Sequence, residues 1–351
     1  VRSTKVRADA IEAASQLALI VRAGAGTDNI DVDAASGRGI SVANCPGKNS
    51  LAVAELAWGL ILACDRRIPD QVADLRAGTW NKKEYSKAPG LAGRTLGIVG
   101  LGKIGEAIAD RGNAFGMRVF AWSRSITNAR AESAGCHACE NLINLARMCD
   151  VISVNVAANQ ETKHLISAEF LAAMKPGAIL VNTSRGSVVD QTALAQVIRE
   201  KGIRAGLDVF AEEPGKGTGE FRDDIVSLPG VYGTHHVGAS TDQSQAAIAS
   251  EAIRVIRLHL ETGNTPNCIN LASGTGAATL TIRHFNRPGV LATVCDLLSR
   301  GGINVEDMEN VIYVGGAAAS ARIRVSETPK SELIQAMTAG PNILSVDVST
   351  H

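Results

Sequence analysis

The stretch TLGIVGLGKIGEAIAD, residues 95–110, constrains this chain more than any other. A short aliphatic run reads as a buried strand, a G-x-G-x-x-G turn follows at 100–105, and a helix-period segment opens at once. Each glycine has a separate physical task. Gly100 permits the tight turn, Gly102 lets backbone approach a pyrophosphate, and Gly105 lets the helix lie close on the strand. The helix start then offers unpaired N–H groups and the positive end of its dipole to phosphate. A strand–turn–helix of this kind predicts a dinucleotide-binding βαβ unit.

The rest of the chain repeats that grammar. RTLGIVG (94–100), MRVFAW (117–122), DVISVNV (150–156), AILVNT (178–183) and GLDVF (206–210) read as parallel strands, with helical segments such as IGEAIADRGNAF and QTALAQVIREKG between them. The prediction is an α/β, doubly wound parallel sheet over 88–235. LALIV (17–21) and GISVA (39–43) add two strands ahead of a long helix near 50–66, and 242–263 reads as an amphipathic helix ending at Gly263. These flanks, 1–87 and 236–265, are assigned to a second, substrate-binding domain. The chain opens on VRSTKVRAD without Met, so the expectation is a fragment whose first strands are missing and whose substrate domain is incomplete. The Gly/Ser/Asn/Pro-rich 266–278 reads as a linker. Beyond it, 279–351 follows a β-α-β-β-α-β order, the ferredoxin-like module.

Bulk properties exclude several classes. Lys+Arg 35 balance Asp+Glu 35, so no global field draws the chain to nucleic acid or anionic lipid. The longest apolar run, LAVAELAWGLILAC (51–64), contains Glu55 and is too short to span a bilayer. Seven cysteines, an odd number, suit the reduced thiols of a cytoplasmic protein. CHAC (136–139) has no second pair to complete a metal site, so it is assigned to packing and no metal is expected.

Candidate chemistry sits at successive strand ends, where open α/β sheets place their sites. After the second strand of the nucleotide domain an acid ordinarily binds the ribose; here stand Ser123 and Arg124, either a pair suited to a 2′-phosphate or an exposed arginine beside a serine that only leaves NAD more weakly bound. Arg185 lies in a Gly-containing loop, Glu212 and Glu213 follow GLDVF, and His235 and His236 follow GVYG. A guanidinium for a carboxylate, an imidazole as acid/base and an acid to orient it form a coherent dehydrogenase set.

RAGAGTDNID (22–31), NCPGKNSLAVAEL (44–56), LAGRTLGIVGLGKIG (91–105), VNTSRGSVVD (181–190), GLDVFAEEP (206–214) and HHVGAST (235–241) resemble the D-isomer-specific 2-hydroxyacid dehydrogenases, over nearly all of 1–262. LTIRHFNRPGVLATV (280–294), with GGINV after it, resembles an amino-acid-sensing ACT domain. The resemblance implies a Rossmann-type domain inserted in a flavodoxin-like substrate domain, and catalytic roles for Arg185, Glu213 and His236. His235 stands where the family commonly has proline. It implies NAD(P) contacts at Gly100, Gly102, Lys103, Ile104, Gly105, Ser123, Arg124, Thr183, Asp208 and His236. Substrate contacts are implied at Arg2, Ser3, Arg22, Ala25, Gly26, Asn44 and Arg185, with Asn49 lining the cleft. The implied substrate is a 2-hydroxy or 2-oxo acid, and the family member resembled most implies one that carries a phosphate. L-Serine is the implied effector at His284, Asn286 and Asn304 across a subunit interface of a homo-oligomer. An NADPH-dependent reductase of glyoxylate or hydroxypyruvate is the alternative, and a non-catalytic, nucleotide-sensing corepressor-like protein the reading from another class. VNVAA (154–158) departs from the family's usual histidine and proline there.

Overall fold

A computed structural model describes residues 1–214, 218–272 and 276–351. They divide into two units, Val1–Asn270 and Leu271–His351.

In the first unit, β1 (Leu19–Val21) and β2 (Ser41–Ala43) pair in parallel, and Val6 bridges Ile30 beside them. Ile11, Ile20, Ile30, Ile40 and Val42 form their small core. The main sheet follows: β3 (Thr95–Val99), β4 (Arg118–Trp122), β5 (His137–Ala138), β6 (Val151–Val154), β7 (Ile179–Asn182), β8 (Arg204–Leu207) and β9 (Val231–Gly233). Their order is β5-β4-β3-β6-β7-β8-β9, all parallel. Every residue of β3, β6 and β7 is buried, as helices on both faces require. Alternate side chains serve opposite faces: Leu96 and Ile98 join one core cluster, Val99 the other. Burying each such side chain contributes about 1.5–3 kcal/mol. The chain leaves β3 to one side for β4 and later returns to its other side for β6. That reversal opens a crevice beyond the carboxyl end of β3.

The helix Ser50–Arg66 corrects one boundary. It was assigned with the substrate domain, yet Ala54, Ala57, Trp58, Leu60 and Ile61 pack with Leu96, Ile98, Val181 and Tyr232 of the main sheet. Trp58 stacks on Phe115 at 4.5 Å and donates Nε1–H to Ile108 O at 3.2 Å, clamping this helix to Lys103–Ala114. Helical periodicity reveals an apolar face but not which sheet it covers.

The predicted linker also begins later than its composition suggested. Cys268 bridges Ala43, Ile269 N donates to Val42 O at 2.8 Å, and the Asn270 side chain accepts from Val42 N at 2.8 Å and donates to Ile40 O at 2.9 Å. Residues 267–270 thus satisfy the open edge of β2. Of the remaining predicted linker, 273–275 lie outside the described residues.

The second unit contains β10 (Ala278–Phe285), β11 (Val305–Ile312), β12 (Ala318–Val325) and β13 (Ile343–Thr350) in the antiparallel order β11-β12-β10-β13. With helices Val290–Arg300 and Ser331–Thr338 this is the ferredoxin-like βαββαβ arrangement, packed around Leu280, Ile282, Val294, Leu298, Ile323 and Met337. Among the described residues no helix is long and apolar enough to cross a membrane.

Candidate active site

The glycine turn caps β3 as its spacing predicts. Gly100 has φ +97°, and a Cβ there would meet Asn155 O at 2.9 Å, so β3 and β6 separate by only a backbone's width. At Gly105 a Cβ would lie 2.2 Å from Gly100 O; at Gly102, the cap of helix Lys103–Ala114, nothing stands within 4 Å. One glycine closes the packing and the other leaves space open over the helix start. Thr183 Oγ1, at the end of β7, is buried without a hydrogen-bond partner. An open approach and an orphaned hydroxyl fit a dinucleotide.

The catalytic candidates come from the ends of β7, β8 and β9. After β7, buried Asn182 shapes a turn by donating Nδ2–H to Arg185 O at 2.9 Å and accepting from Ser184 Oγ at 2.7 Å. Gly186 then presses on the next strand's loop: a Cβ there would stand 1.9 Å from Phe210 O. After β8, Glu213 accepts from Phe210 N at 3.1 Å and turns its other oxygen to His236 Nδ1 at 2.7 Å. After β9, His236 takes a left-handed backbone, φ +53°, uncommon for a residue with a Cβ. Buried Asp208 holds it there. Its carbonyl accepts from His236 N at 2.8 Å, and its carboxylate from Val237 N and Gly238 N, each at 2.9 Å, and from Thr234 Oγ1 at 2.6 Å.

Electrostatics agree with this geometry. The hydrogen bond to Glu213 raises the His236 pKa, against the pull of burial and the charge of Arg185. Burial pushes the Glu213 carboxyl up, but bonds from His236 and Phe210 N, with the charges of His236 and Arg185, bring it below its ordinary value. The imidazolium is therefore favoured.

Across from this pair, cations gather. Arg185 meets Asp28 at 3.1 Å, and a Cβ on Gly26 would come within 2.6 Å of its Nη2. Arg22 Nη1 donates to Ala23 O at 2.6 Å, while its buried Nε has no partner. Burial, then the charge of Arg185, lowers the Arg22 pKa; Asp28 opposes and Arg2 adds to the lowering. Asn44 donates to Ala25 O at 2.7 Å, holding the 23–26 loop. Asn267 (φ +56°) donates in turn to Asn44 O at 3.3 Å and Glu251 Oε1 at 2.8 Å. Arg2 and Ser3 are exposed, and Asn49 precedes the helix Ser50–Arg66 without a side-chain cap bond.

Other expectations fare differently. His235 and Glu212 are exposed, as are His236 and Glu213, and what sets the latter two apart is their bond to each other. Lys103 leans toward Glu106 at 3.8 Å, and Ile104 packs on the core. Arg124 is not an open guanidinium but pairs with Glu161. In the second unit, His284 is buried, its ring engaged by Phe285 O at 2.9 Å and Asn310 Oδ1 at 3.1 Å. Asn286 N bonds Ala317 O and Asn304 N bonds Ser326 Oγ, at opposite ends of the 8-residue β12. That is a separation of about 27 Å, so one copy cannot bring both amides to one small ligand. Asp28, Glu161, Gly186, Glu251 and Asn267 are the contributors that sequence reasoning missed. Asp28 and Gly186 carried a signal, an acid within the RAGAGTDNID segment and the glycine of the Arg185 loop.

Residues 58–238 match the family described as D-isomer specific 2-hydroxyacid dehydrogenase, NAD binding domain. A D-3-phosphoglycerate dehydrogenase of Methanocaldococcus jannaschii is 41% identical over 76% of this chain and 50% of its own. A hydroxypyruvate reductase of Thermotoga maritima is 44% identical over 72% of this chain and 81% of its own. The structure of an NADPH-dependent glyoxylate/hydroxypyruvate reductase from Sinorhizobium meliloti, in complex with NADP and malonate, superposes with TM-score 0.68 at 31% identity, covering 76% of this chain and 82% of that one. The chain spans about half the length of several of the curated relatives it matches.

Proposed function

The chain belongs to the D-isomer-specific 2-hydroxyacid dehydrogenase family, and we propose that it interconverts a D-2-hydroxy acid and its 2-oxo acid, with 3-phosphoglycerate as the substrate and serine synthesis as the role. The carrying observation is the 2.7 Å bond between His236 Nδ1 and Glu213, with Arg185 near enough to act on both charges. The nicotinamide, when bound, supplies the hydride acceptor or donor. Glu213 on Nδ1 fixes the tautomer and leaves Nε2 for substrate. In oxidation His236 takes the C2 hydroxyl proton; in reduction the imidazolium returns it. Arg185 grips the substrate carboxylate, turning from Asp28 to do so, and stabilises charge on the 2-oxygen. Arg22 and Arg2 beside it suit a second anionic group, which favours a phosphorylated acid.

The second reading is a glyoxylate or hydroxypyruvate reductase, favoured by the Thermotoga relative. We read the second unit as an ACT module. Because Asn286 and Asn304 stand at opposite ends of its sheet, serine would have to be shared between two copies of a homo-oligomer.

Initial rates with 3-phosphohydroxypyruvate, hydroxypyruvate and glyoxylate, each with NADH and NADPH, test the proposal. The phosphorylated acid should lead in kcat/KM by tenfold or more, and His236→Ala should lose roughly 10²–10⁴-fold while still binding dinucleotide. A lead for either small acid supports the second reading. Dinucleotide binding with no turnover of any acid supports the corepressor-like one. If His235→Ala is the crippling change, the histidine is misassigned.

A further inference from the structure

The end of β4 lacks an acid, yet a carboxylate arrives there from another strand. Glu161, in the turn after β6, pairs with Nη1 of Arg124, which follows β4. The turn is preset. Asn159 Oδ1 accepts from Glu161 N at 3.0 Å and Thr162 N at 2.9 Å, and Thr162 Oγ1 donates to Ala157 O at 2.7 Å. β4 and β6 are the two neighbours of β3, so the pair reaches across the end of the strand that carries the glycine turn. Both side chains remain largely in solvent, 70% and 67% exposed, where an incoming nucleotide can reach them.

We propose that Glu161 is a specificity-determining residue: as the counter-ion of Arg124, it disfavours a 2′-phosphate on the adenosine ribose and holds the chain toward NAD rather than NADP. A ribose phosphate carries nearly two negative charges. To be gripped by Arg124 it must displace the carboxylate already there, and that carboxylate then stands beside the dianion. A ribose hydroxyl asks for neither change. The Ser123–Arg124 pair alone reads as a 2′-phosphate site, and Glu161 cancels that reading without lying near it in sequence. This inference rests on the dinucleotide reading of the glycine turn and not on which hydroxy acid is turned over.

The test is equilibrium binding of NADH and NADPH to the whole chain, by calorimetry, for the unaltered protein, Glu161→Gln, and Glu161→Gln combined with Arg124→Ala. The glutamine keeps shape and hydrogen bonding but removes charge. The unaltered protein should bind NADH the more tightly. Glu161→Gln should tighten NADPH by roughly three- to tenfold, the scale of exposed charge interactions doubled for a dianion, with NADH changed less than about twofold. Adding Arg124→Ala should erase the gain. A ratio of the two dissociation constants that Glu161→Gln leaves within about twofold overturns the inference, as does a gain that survives Arg124→Ala. If neither nucleotide binds the unaltered protein, the dinucleotide site itself falls.

Discussion

Gly186→Ala probes whether the active site depends on two loops touching backbone to backbone. A Cβ at 186 would lie 1.9 Å from Phe210 O, 2.0 Å from Phe210 C and 2.5 Å from Ala211 N. Real side-chain carbons stay beyond about 3 Å, so the segments must part by about 1 Å. No rotamer relieves the clash, because all three opposing atoms are backbone, and Gly186 is not held in a left-handed conformation that would add strain of its own. Overpacking of this kind costs about 1–3 kcal/mol. One segment carries Arg185 and the other carries Glu213 with its bond to His236, so the same displacement pulls the guanidinium from the imidazole. A misplacement near 1 Å costs on the order of 10²-fold in rate. Urea midpoints, NADH dissociation constants and kcat/KM on the preferred 2-oxo acid should therefore show a destabilised protein, a rate down about 100-fold and NADH affinity down by about tenfold or less, since the glycine turn lies on another strand and Thr183 alone borders the displaced loop. Unchanged stability and kcat/KM would refute the contact, and loss of NADH binding as deep as the loss of rate would refute the separation of roles.

Two further outcomes follow from the geometry. Gly102→Ala meets no atom within 4 Å, so the fold should lose no more than about 1 kcal/mol as a weaker helix cap, while dinucleotide affinity drops tenfold or more; fluorescence titration giving an unchanged constant would place the pyrophosphate elsewhere. In Glu213→Gln the imidazolium loses its charged partner and the His236 pKa falls. Reduction needs the protonated ring and is lost as pH rises through that pKa, so the descending limb of kcat/KM should move to lower pH; a limb that stays put assigns the titration to another group.

Much of the site was legible because local chemistry dictates it. The glycine turn announces itself by residues that few other backbones need, whereas His236 was set apart from His235 only by the family resemblance, which puts the histidine before x-G-A-S. What escaped notice depends on partners distant in sequence. Arg124 reads as a free cation until the fold brings Glu161 to it across 37 residues, and Asp28 meets Arg185 across 157. Asn267 and Asn270 sit in a polar, glycine-containing stretch, and composition cannot distinguish an amide that solvates a linker from one that closes a sheet edge. The helix Ser50–Arg66 showed an apolar face, but which surface received it was a tertiary choice.

Asp208 sits inside the protein with its carboxylate ringed by donors that all belong to the 234–238 segment. Stripping water from that anion is costly until those donors arrive, so the segment wraps around it as a unit or not at all. The imidazole rides on this wrapped segment, so the proposed chemistry rests on a threshold rather than a gradient: encircling the anion is what sets His236 beside Glu213.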